Sequence, residues 1–243
     1  MPSAQHAVLH GGSPVANAAP VPSASPPVTA APAPSATRSE PLPNAGVAAP
    51  VLDPQRRLVV LADEARHCTR CALHSTRTQA VFARGTGESG LCFVGEGPGA
   101  DEDAQGFPFV GAAGQLLDRM ITAMGLGRDD VYVCNIVKCR PPNNRKPEPE
   151  EMAACMPFLK EQLELVAPKV IVALGATAVQ GLLGTTEGIT RLRGKWKLYK
   201  GEIPVMPAFH PAYLLRTPTA KREVWEDLQA VVRQMGRSLP ERS

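Results

Sequence analysis

Four short apolar runs are predicted to be buried strands, because each is apolar throughout and too short to be a helix on this pattern. They cover residues 91–95, 131–137, 170–174 and 203–209. Between them, apolar residues recur at three- and four-residue spacing, which is typical of helices that bury one face. Strands that alternate with helices pair in parallel. The pattern therefore predicts an α/β fold, a three-layer α/β/α sandwich with a central four-stranded parallel sheet.

Two apolar stripes define helices between the strands. One runs over Leu117, Met120, Ile121 and Met124, and the other over residues 152–166. Further helices are predicted over residues 57–67 and 220–235. In folds of this class the ligand cleft lies beyond the carboxyl ends of the strands. Functional residues are therefore expected directly after each strand.

The first 54 residues differ from the rest of the chain in composition. Ala, Pro, Ser and Val dominate, and 11 of the 25 prolines fall in the first 50 positions. Such a segment buries too little apolar area to form a packed core, and proline favours extended conformations. We predict a disordered Pro/Ala-rich arm over residues 1–54 and one folded domain over residues 55–243.

The charge balance is compatible with a polyanionic partner but does not identify one, since 26 Lys and Arg face 23 Asp and Glu, for a net charge of +3. No apolar run is long enough to predict a membrane span, and the N-terminus lacks the pattern of a secretory signal. We expect no membrane partner and a cytoplasmic location, in the bacterial cytosol or nucleoid. In that reducing compartment the six cysteines point to metal binding or burial rather than disulfides. Cys92 and Cys134 lie within predicted strands and are expected to be buried.

The other four cysteines have spacing compatible with metal ligands. Cys68 and Cys71 form a CxxC pair, and Cys139 and Cys155 form a wider pair separated by 15 residues. Four thiolates can hold either a zinc ion or an iron-sulfur cluster, and the spacing leaves both open. Ordinary buried thiols are the third interpretation of Cys139 and Cys155.

A glycine-rich loop, GEGPG at residues 95–99, follows the first strand. It has neither the lysine of a phosphate-binding loop nor the spacing of a dinucleotide fingerprint. Its glycines would let the backbone approach a ligand closely, although a tight turn without chemistry is the alternative. Phe109 follows, among small residues before a helix. Its ring could stack on a planar ligand or fill the core.

The second strand ends near Asn135, whose amide could hydrogen-bond two adjacent atoms of a pyrimidine edge. The basic segment after it, residues 138–146, could contact phosphates. A buried structural asparagine is the alternative.

The fourth strand leads into FHPAYLLR at residues 209–216. This segment presents an imidazole in His210, an apolar wedge in Leu214 and Leu215, and a cation in Arg216. Such a combination suits a loop that enters a DNA groove.

The motifs GEGPG, GFPFVGAAG, NIVKCRPPNNR and HPAYLLR, in this order and with the four-cysteine pattern, closely resemble the family 4 (thermostable, iron-sulfur) uracil-DNA glycosylases. The resemblance covers about residues 68–235. It implies an enzyme that flips uracil out of DNA and hydrolyses its N-glycosidic bond, which leaves an abasic site and starts base excision repair. It also implies a structural [4Fe-4S] cluster, held by Cys68, Cys71, Cys139 and Cys155.

The same resemblance implies roles for residues at the strand ends. Glu96 and Gly97 would contact uracil, Phe109 would stack on it, and Asn135 would recognise its edge. His210, as a neutral donor, would stabilise the charge that develops on the leaving-group oxygen.

The group that positions the attacking water is harder to assign. Better-known uracil glycosylases carry an aspartate where Gly97 stands, and a tyrosine that blocks thymine where Gly99 stands. Glu102 and Asn144 match family positions near the site and are the candidate catalytic residues for the water. Solvated residues at the start of a helix are the alternative interpretation.

The predicted partner is uracil-containing DNA, single- or double-stranded, and the predicted state is a monomer. Leu214 would fill the gap left by the flipped base, and Arg216 would contact the DNA. Two other classes stay open: a nucleic-acid-binding module without catalysis that has a four-cysteine zinc site, and an iron-sulfur electron carrier.

Overall fold

Six strands form one mixed sheet in the computed structural model, which describes residues 53–240. The strands are β1 (Ala83–Arg84), β2 (Leu91–Gly95), β3 (Tyr132–Asn135), β4 (Val170–Leu174), β5 (Lys197–Tyr199) and β6 (Ile203–Ala208). Their order across the sheet is β1-β3-β2-β4-β6-β5. The four central strands are parallel, and β1 and β5 are antiparallel at the two edges.

The helices flank this sheet. They are α1 (Pro54–Arg66), α2 (Ala100–Gln105), α3 (Ala112–Ala123), α4 (Pro149–Val166), α5 (Ala176–Leu183), α6 (Ile189–Leu192), α7 (Pro211–Arg216) and α8 (Lys221–Gln234). Short 3-10 turns cover Ala72–Ser75, Pro142–Asn144 and Pro218–Ala220. None of the helices within residues 53–240 combines the length and the apolarity that crossing a membrane requires.

Both faces of the sheet are covered, which explains why its central strands are apolar throughout. Along β2, Cys92 and Val94 pack into one core with α1, α4 and α5, while Leu91 and Phe93 pack into a second core with α3 and α8. Cys92 and Cys134 are fully buried, as expected. The predicted three-layer α/β/α sandwich with four central parallel strands is confirmed.

The prediction missed the two edge strands. β1 has two residues and β5 has three, so neither is long enough to show an alternating pattern. β5 returns to β6 through a tight hairpin in which Lys200 and Gly201 have positive φ angles of 51° and 77°.

The predicted arm over residues 1–54 lies outside the described residues except for its last two. Asp53 caps α1 by accepting from the backbone N–H groups of Gln55 and Arg56, and Pro54 is the first residue of that helix. The helix therefore starts slightly before the predicted domain boundary at residue 55.

Candidate active site and cysteine centre

A cavity of about 630 Å³ opens at the carboxyl ends of the four parallel strands. Its walls are the segments that follow β2, β3, β4 and β6, which is where the sequence predicted functional residues. The structure brings the predicted base-binding and catalytic residues to this cavity, together with the predicted DNA contact Arg216: Glu96, Gly97, Glu102, Phe109, Asn135, Asn144, His210 and Arg216.

Asn135 is the last residue of β3, and its side chain is a buried polar group in the cavity wall. It is 2% exposed, and its Oδ1 has no hydrogen-bond partner among the described residues. Gly95 is its neighbour on β2. A Cβ atom at Gly95 would lie 2.4 Å from Oδ1 and 2.7 Å from Cζ of Phe109, so only glycine fits there. A buried acceptor without a partner is costly unless a ligand supplies the donor.

Phe109 holds its ring against the cavity in an unusual backbone conformation. Its φ angle is +57°, which is rare for a bulky residue and costs on the order of 1–3 kcal/mol. The ring centroid lies 5.5 Å from that of His210. The backbone of Gly114 passes so close that a Cβ there would lie 1.8 Å from the Phe109 carbonyl oxygen. Strain of this kind is typical of functional positions.

Glu102 supports that conformation from α2. Its Oε1 accepts from the N–H groups of Val110 and Gly111, both at 3.0 Å, and its Oε2 accepts from Gly99 N–H at 3.1 Å. The carboxylate therefore ties the glycine-rich loop to the segment that carries Phe109.

His210 stands between β6 and α7, where it caps the helix. Its Nδ1 accepts from the Ala212 N–H at 3.1 Å, so the proton of the neutral ring is on Nε2. Burial, and next the charge of Arg216, lower the pKa of His210 to about 4, while Glu102 acts in the opposite direction. The ring is therefore a neutral donor at pH 7.

The loop after β2 is tied to α5 by a contact that the sequence did not predict. The buried Thr177 hydroxyl donates to Oε2 of Glu96 at 2.5 Å and also lines the cavity. Thr177 follows β4 by a short turn, so the expectation that functional residues follow each strand could have found it. A Cβ at Gly97 would lie 2.7 Å from Cγ2 of Val137, so Gly97 can present only its backbone.

The basic loop after β3 is largely engaged within the protein. Asn144 is exposed at φ +54°, and its Oδ1 accepts from Arg140 Nε at 2.8 Å. Arg145 pairs with Glu151 at 2.6 Å, and the Lys146 amine donates to Gln180 Oε1 at 2.8 Å. Lys138, the fourth basic residue of the predicted phosphate-binding segment, is buried, so each of the four basic side chains already has a partner within the protein.

The predicted role of Leu214 as a DNA contact is wrong. This leucine is 1% exposed and packs in the core shared with α3 and α8, which contradicts the prediction that it enters the DNA. α7 begins at Pro211, and on this short helix residue 214 faces the core while residue 215 faces solvent. Leu215 is 43% exposed, beside the exposed Arg216.

The four predicted ligand cysteines line one small cavity that is separate from the base-binding cavity. Cys68 and Cys71 follow α1, Cys139 follows β3, and Cys155 lies in α4. Nη1 of Arg77 lies 2.9 Å from Sγ of Cys139, and the backbone N–H of residue 138 donates to Sγ of Cys155 at 3.3 Å.

Burial raises the pKa of the Cys139 thiol and raises the pKa of the Cys155 thiol to about 11, which favours the protonated form of both in the absence of a bound cation. No three His, Cys, Asp or Glu side chains within residues 53–240 are arranged to hold a single metal ion.

Comparison with known proteins extends these observations. Residues 82–229 match the family model of the uracil DNA glycosylase superfamily. The chain is 48% identical over 173 residues to the type-4 uracil-DNA glycosylase of Thermotoga maritima, an overlap that covers 70% of this chain and 90% of the relative. It is 43% identical over 184 residues to the type-4 enzyme of Archaeoglobus fulgidus, covering 73% of this chain and 92% of the relative. The type-4 enzyme of Saccharolobus solfataricus is 42% identical over 182 residues, covering 72% and 84%.

Proposed function

This chain belongs to the uracil DNA glycosylase superfamily, in its type-4 family, and on that premise we propose how its cavity excises uracil. The chain is a DNA glycosylase that hydrolyses N-glycosyl bonds and acts in DNA repair. A base inside a duplex is out of reach, so uracil must be flipped into the cavity. The observation that carries the proposed mechanism is the unpartnered, buried Oδ1 of Asn135 in the same cavity as the neutral His210.

Asn135 selects uracil by matching its edge. Uracil N3–H donates to Oδ1, and the amide N–H donates to uracil O4. Cytosine offers an acceptor at N3 and a donor at the exocyclic nitrogen, so it would leave both groups of the amide facing the wrong partner. Each buried group left unpaired costs about 1–3 kcal/mol, which is enough to discriminate against cytosine.

Phe109 stacks on the flipped base, and Glu96 and Gly97 contact it from the opposite loop. The positive φ of Phe109 fixes its ring before the base arrives, and Glu102 maintains that backbone by accepting hydrogen bonds from the two residues that follow Phe109. Thr177 fixes the carboxylate of Glu96 in the same way. A site that is ordered in advance loses little entropy on binding.

His210 stabilises the leaving group. Cleavage leaves an oxocarbenium-like sugar and negative charge on the uracil, part of it on O2. Since Nδ1 accepts from Ala212, the Nε2–H points its dipole toward the base as a fixed donor. A preorganised donor of this kind contributes roughly 3–4 kcal/mol to transition-state stabilisation.

Glu102 and Asn144 are proposed to hold the attacking water. A carboxylate has about four acceptor sites, and three of those on Glu102 accept backbone N–H groups, which leaves one for a water molecule. The Asn144 oxygen is fixed by Arg140, so its amide nitrogen is the group available to the cavity. In this arrangement Glu102 both supports Phe109 and orients water.

The DNA lies over the mouth of the cavity. Arg216 contacts a phosphate, and Leu215 takes the role that the sequence had given to Leu214, because it is the exposed leucine of α7. Both single- and double-stranded DNA stay predicted substrates, and a monomer stays the predicted state.

The four cysteines are proposed to hold a [4Fe-4S] cluster. Their donor set consists of thiols only, as such clusters require, and N–H groups already point at two of the sulfurs. Four thiolates could also hold a zinc ion, and the resemblance to the family 4 (iron-sulfur) uracil-DNA glycosylases is what favours the cluster. When bound, the cluster supplies a structural cross-link between the end of α1, the segment after β3, and α4.

Incubation of the purified chain with a uracil-containing oligonucleotide tests the proposal. We expect an alkali-labile abasic site at the uracil position, and none in an otherwise identical strand with cytosine or thymine there. Single- and double-stranded forms of each oligonucleotide are compared in the same assay. Absence of product from both uracil strands would refute the proposed function.

A further inference from the structure

Lys138 is a buried lysine between the base-binding cavity and the cysteine centre. Its side chain is 1% exposed, and no carboxylate within residues 53–240 forms an ion pair with it. An ammonium group removed from water without an opposite charge is strongly unfavourable. The position of this side chain therefore needs an explanation that packing alone does not give.

On the side of the cavity, Lys138 contacts the backbone of the base-reading residue. Its Nζ donates to the carbonyl oxygen of Asn135 at 2.7 Å. The next two residues bond to the end of β2 and to the loop after it, since the Ile136 N–H donates to the Gly95 carbonyl oxygen and the Val137 N–H to that of Glu96. The hydrogen bond from Lys138 to the Asn135 carbonyl oxygen closes the turn over residues 135–138, directly after β3.

On the other side, Lys138 borders the four cysteines. It lines their cavity, its own N–H donates to Cys155 Sγ at 3.3 Å, and Cys139 is the next residue. Arg77, which contacts Cys139, is only partly buried. Four thiolates on an iron-sulfur core carry a net negative charge, and Lys138 is the fully buried cation beside them. A cluster held by these thiolates would supply the negative charge that the ammonium group lacks.

We propose that Lys138 is a positioning residue that couples the cysteine-held cluster to uracil recognition. Its ammonium group balances the charge of the four thiolates and their bound group, and its hydrogen bond to the Asn135 carbonyl fixes the end of β3. The inference rests on the proposed function, because it assumes both the cluster and the role of Asn135. It goes further in giving the cluster an effect on the base-binding site.

The test uses the full chain loaded with its cluster and compares Lys138→Met, Lys138→Gln, Lys138→Arg and a control, Lys160→Met, which alters an exposed lysine of α4. Two quantities are measured: the half-life of the cluster's visible absorbance in the presence of a chelator and air, and the inhibition constant of free uracil. Free uracil probes the base site without DNA contacts. Excision of uracil by the parent is measured first, so that failure of the proposed function is recognised separately.

We expect Lys138→Met to shorten the cluster half-life and to raise the inhibition constant of uracil, each about tenfold or more, as for loss of a charged hydrogen-bond partner. Lys138→Arg keeps the charge, although its guanidinium group is larger and differs in geometry, so its cluster half-life should be longer than that of Lys138→Met. A loaded Lys138→Met or Lys138→Gln protein that matches the parent in both quantities would overturn the proposal. A shortened cluster half-life in these variants, without any change in the inhibition constant of uracil, would also overturn it.

If neither neutral variant yields folded protein, Lys138→Arg decides the question alone. A cluster half-life close to that of the parent supports the role of the charge. A half-life shortened about tenfold, with Lys160→Met unchanged, contradicts it.

Discussion

The base-binding cavity and the cysteine centre are joined by the short segment from Asn135 to Cys139, but they are ordered by different means. In the cavity, the chain's own hydrogen bonds fix the functional groups: Glu102 fixes the Phe109 segment, and the Ala212 N–H fixes the ring of His210. In the cysteine centre the four thiols come from three segments, and the proposed cluster would supply most of their mutual restraint.

This difference assigns catalysis to the cavity and stabilisation of the fold to the cysteine centre. A preorganised cavity can stabilise a transition state without a metal at the reacting atoms. The proposed cluster would cross-link the end of α1, the segment after β3, and α4, and so would stabilise the folded state. Changes in the cysteine centre should therefore act on the folded state first, and changes in the cavity should act on the rate.

The largest expected effect is that of removing a ligand cysteine. Cys155→Ala should abolish the visible absorbance of the cluster and lower the midpoint of thermal unfolding by several degrees, because a cross-link at α4 is lost. Absorbance and circular dichroism measure the two effects. Cys92→Ala, at a buried cysteine outside the ligand set, is the control and should keep the absorbance. Full absorbance in Cys155→Ala would contradict the ligand assignment.

His210→Ala should reduce kcat by about 10²–10³-fold, as for loss of one preorganised donor at an oxyanion. Its cluster absorbance should not change, which separates the cavity from the cysteine centre. The variant also loses the cap of α7, so a loss of about 1 kcal/mol in stability is expected and is measured in parallel. A kcat equal to that of the parent would refute the role of the imidazole.

The two leucines of α7 distinguish core from surface. Leu214→Ala should destabilise the protein by about 2–5 kcal/mol, because it opens a cavity in the core. Leu215→Ala should leave the free energy of unfolding nearly unchanged and should lower activity on double-stranded DNA more than on single-stranded DNA. Denaturant titration and parallel assays on both substrates measure this. The reverse pattern would restore Leu214 as the DNA contact.

The smallest effect is on the pH dependence of stability. The pKa of His210 is lowered to about 4 in the folded protein, against about 6.5 in the unfolded chain. Between these values the unfolded state binds more protons, so stability should fall as the pH is lowered from about 6.5 to about 4. The slope of the free energy of unfolding against pH in this window should be shallower in His210→Asn, whose side chain keeps an acceptor for the Ala212 N–H. An equal slope in both proteins would contradict the assigned neutral ring.

Much of the cavity could be predicted from the sequence because its residues directly follow apolar strands. Asn135 and His210 occupy positions that the parallel sheet brings to one edge. Leu214 was predicted wrongly because a six-residue helix is too short to show its phase in the sequence. Thr177 was missed because its partner Glu96 is 81 residues away in the sequence. Lys138 was predicted as part of a phosphate-binding segment, but its side chain is buried and donates to the Asn135 carbonyl oxygen, which its place among basic residues does not indicate.

In the proposed mechanism the unpartnered oxygen of Asn135 reads uracil, and the cysteine centre supports the segment that carries this residue. The most direct test is the single-turnover rate of uracil excision by Asn135→Ala, with cluster absorbance and unfolding midpoint recorded on the same preparation. We predict a fall in rate of about tenfold to a hundredfold, from the loss of paired hydrogen bonds to the base, with absorbance and midpoint close to those of the parent. An unchanged rate in a folded, cluster-loaded variant would contradict the proposal that Asn135 reads uracil.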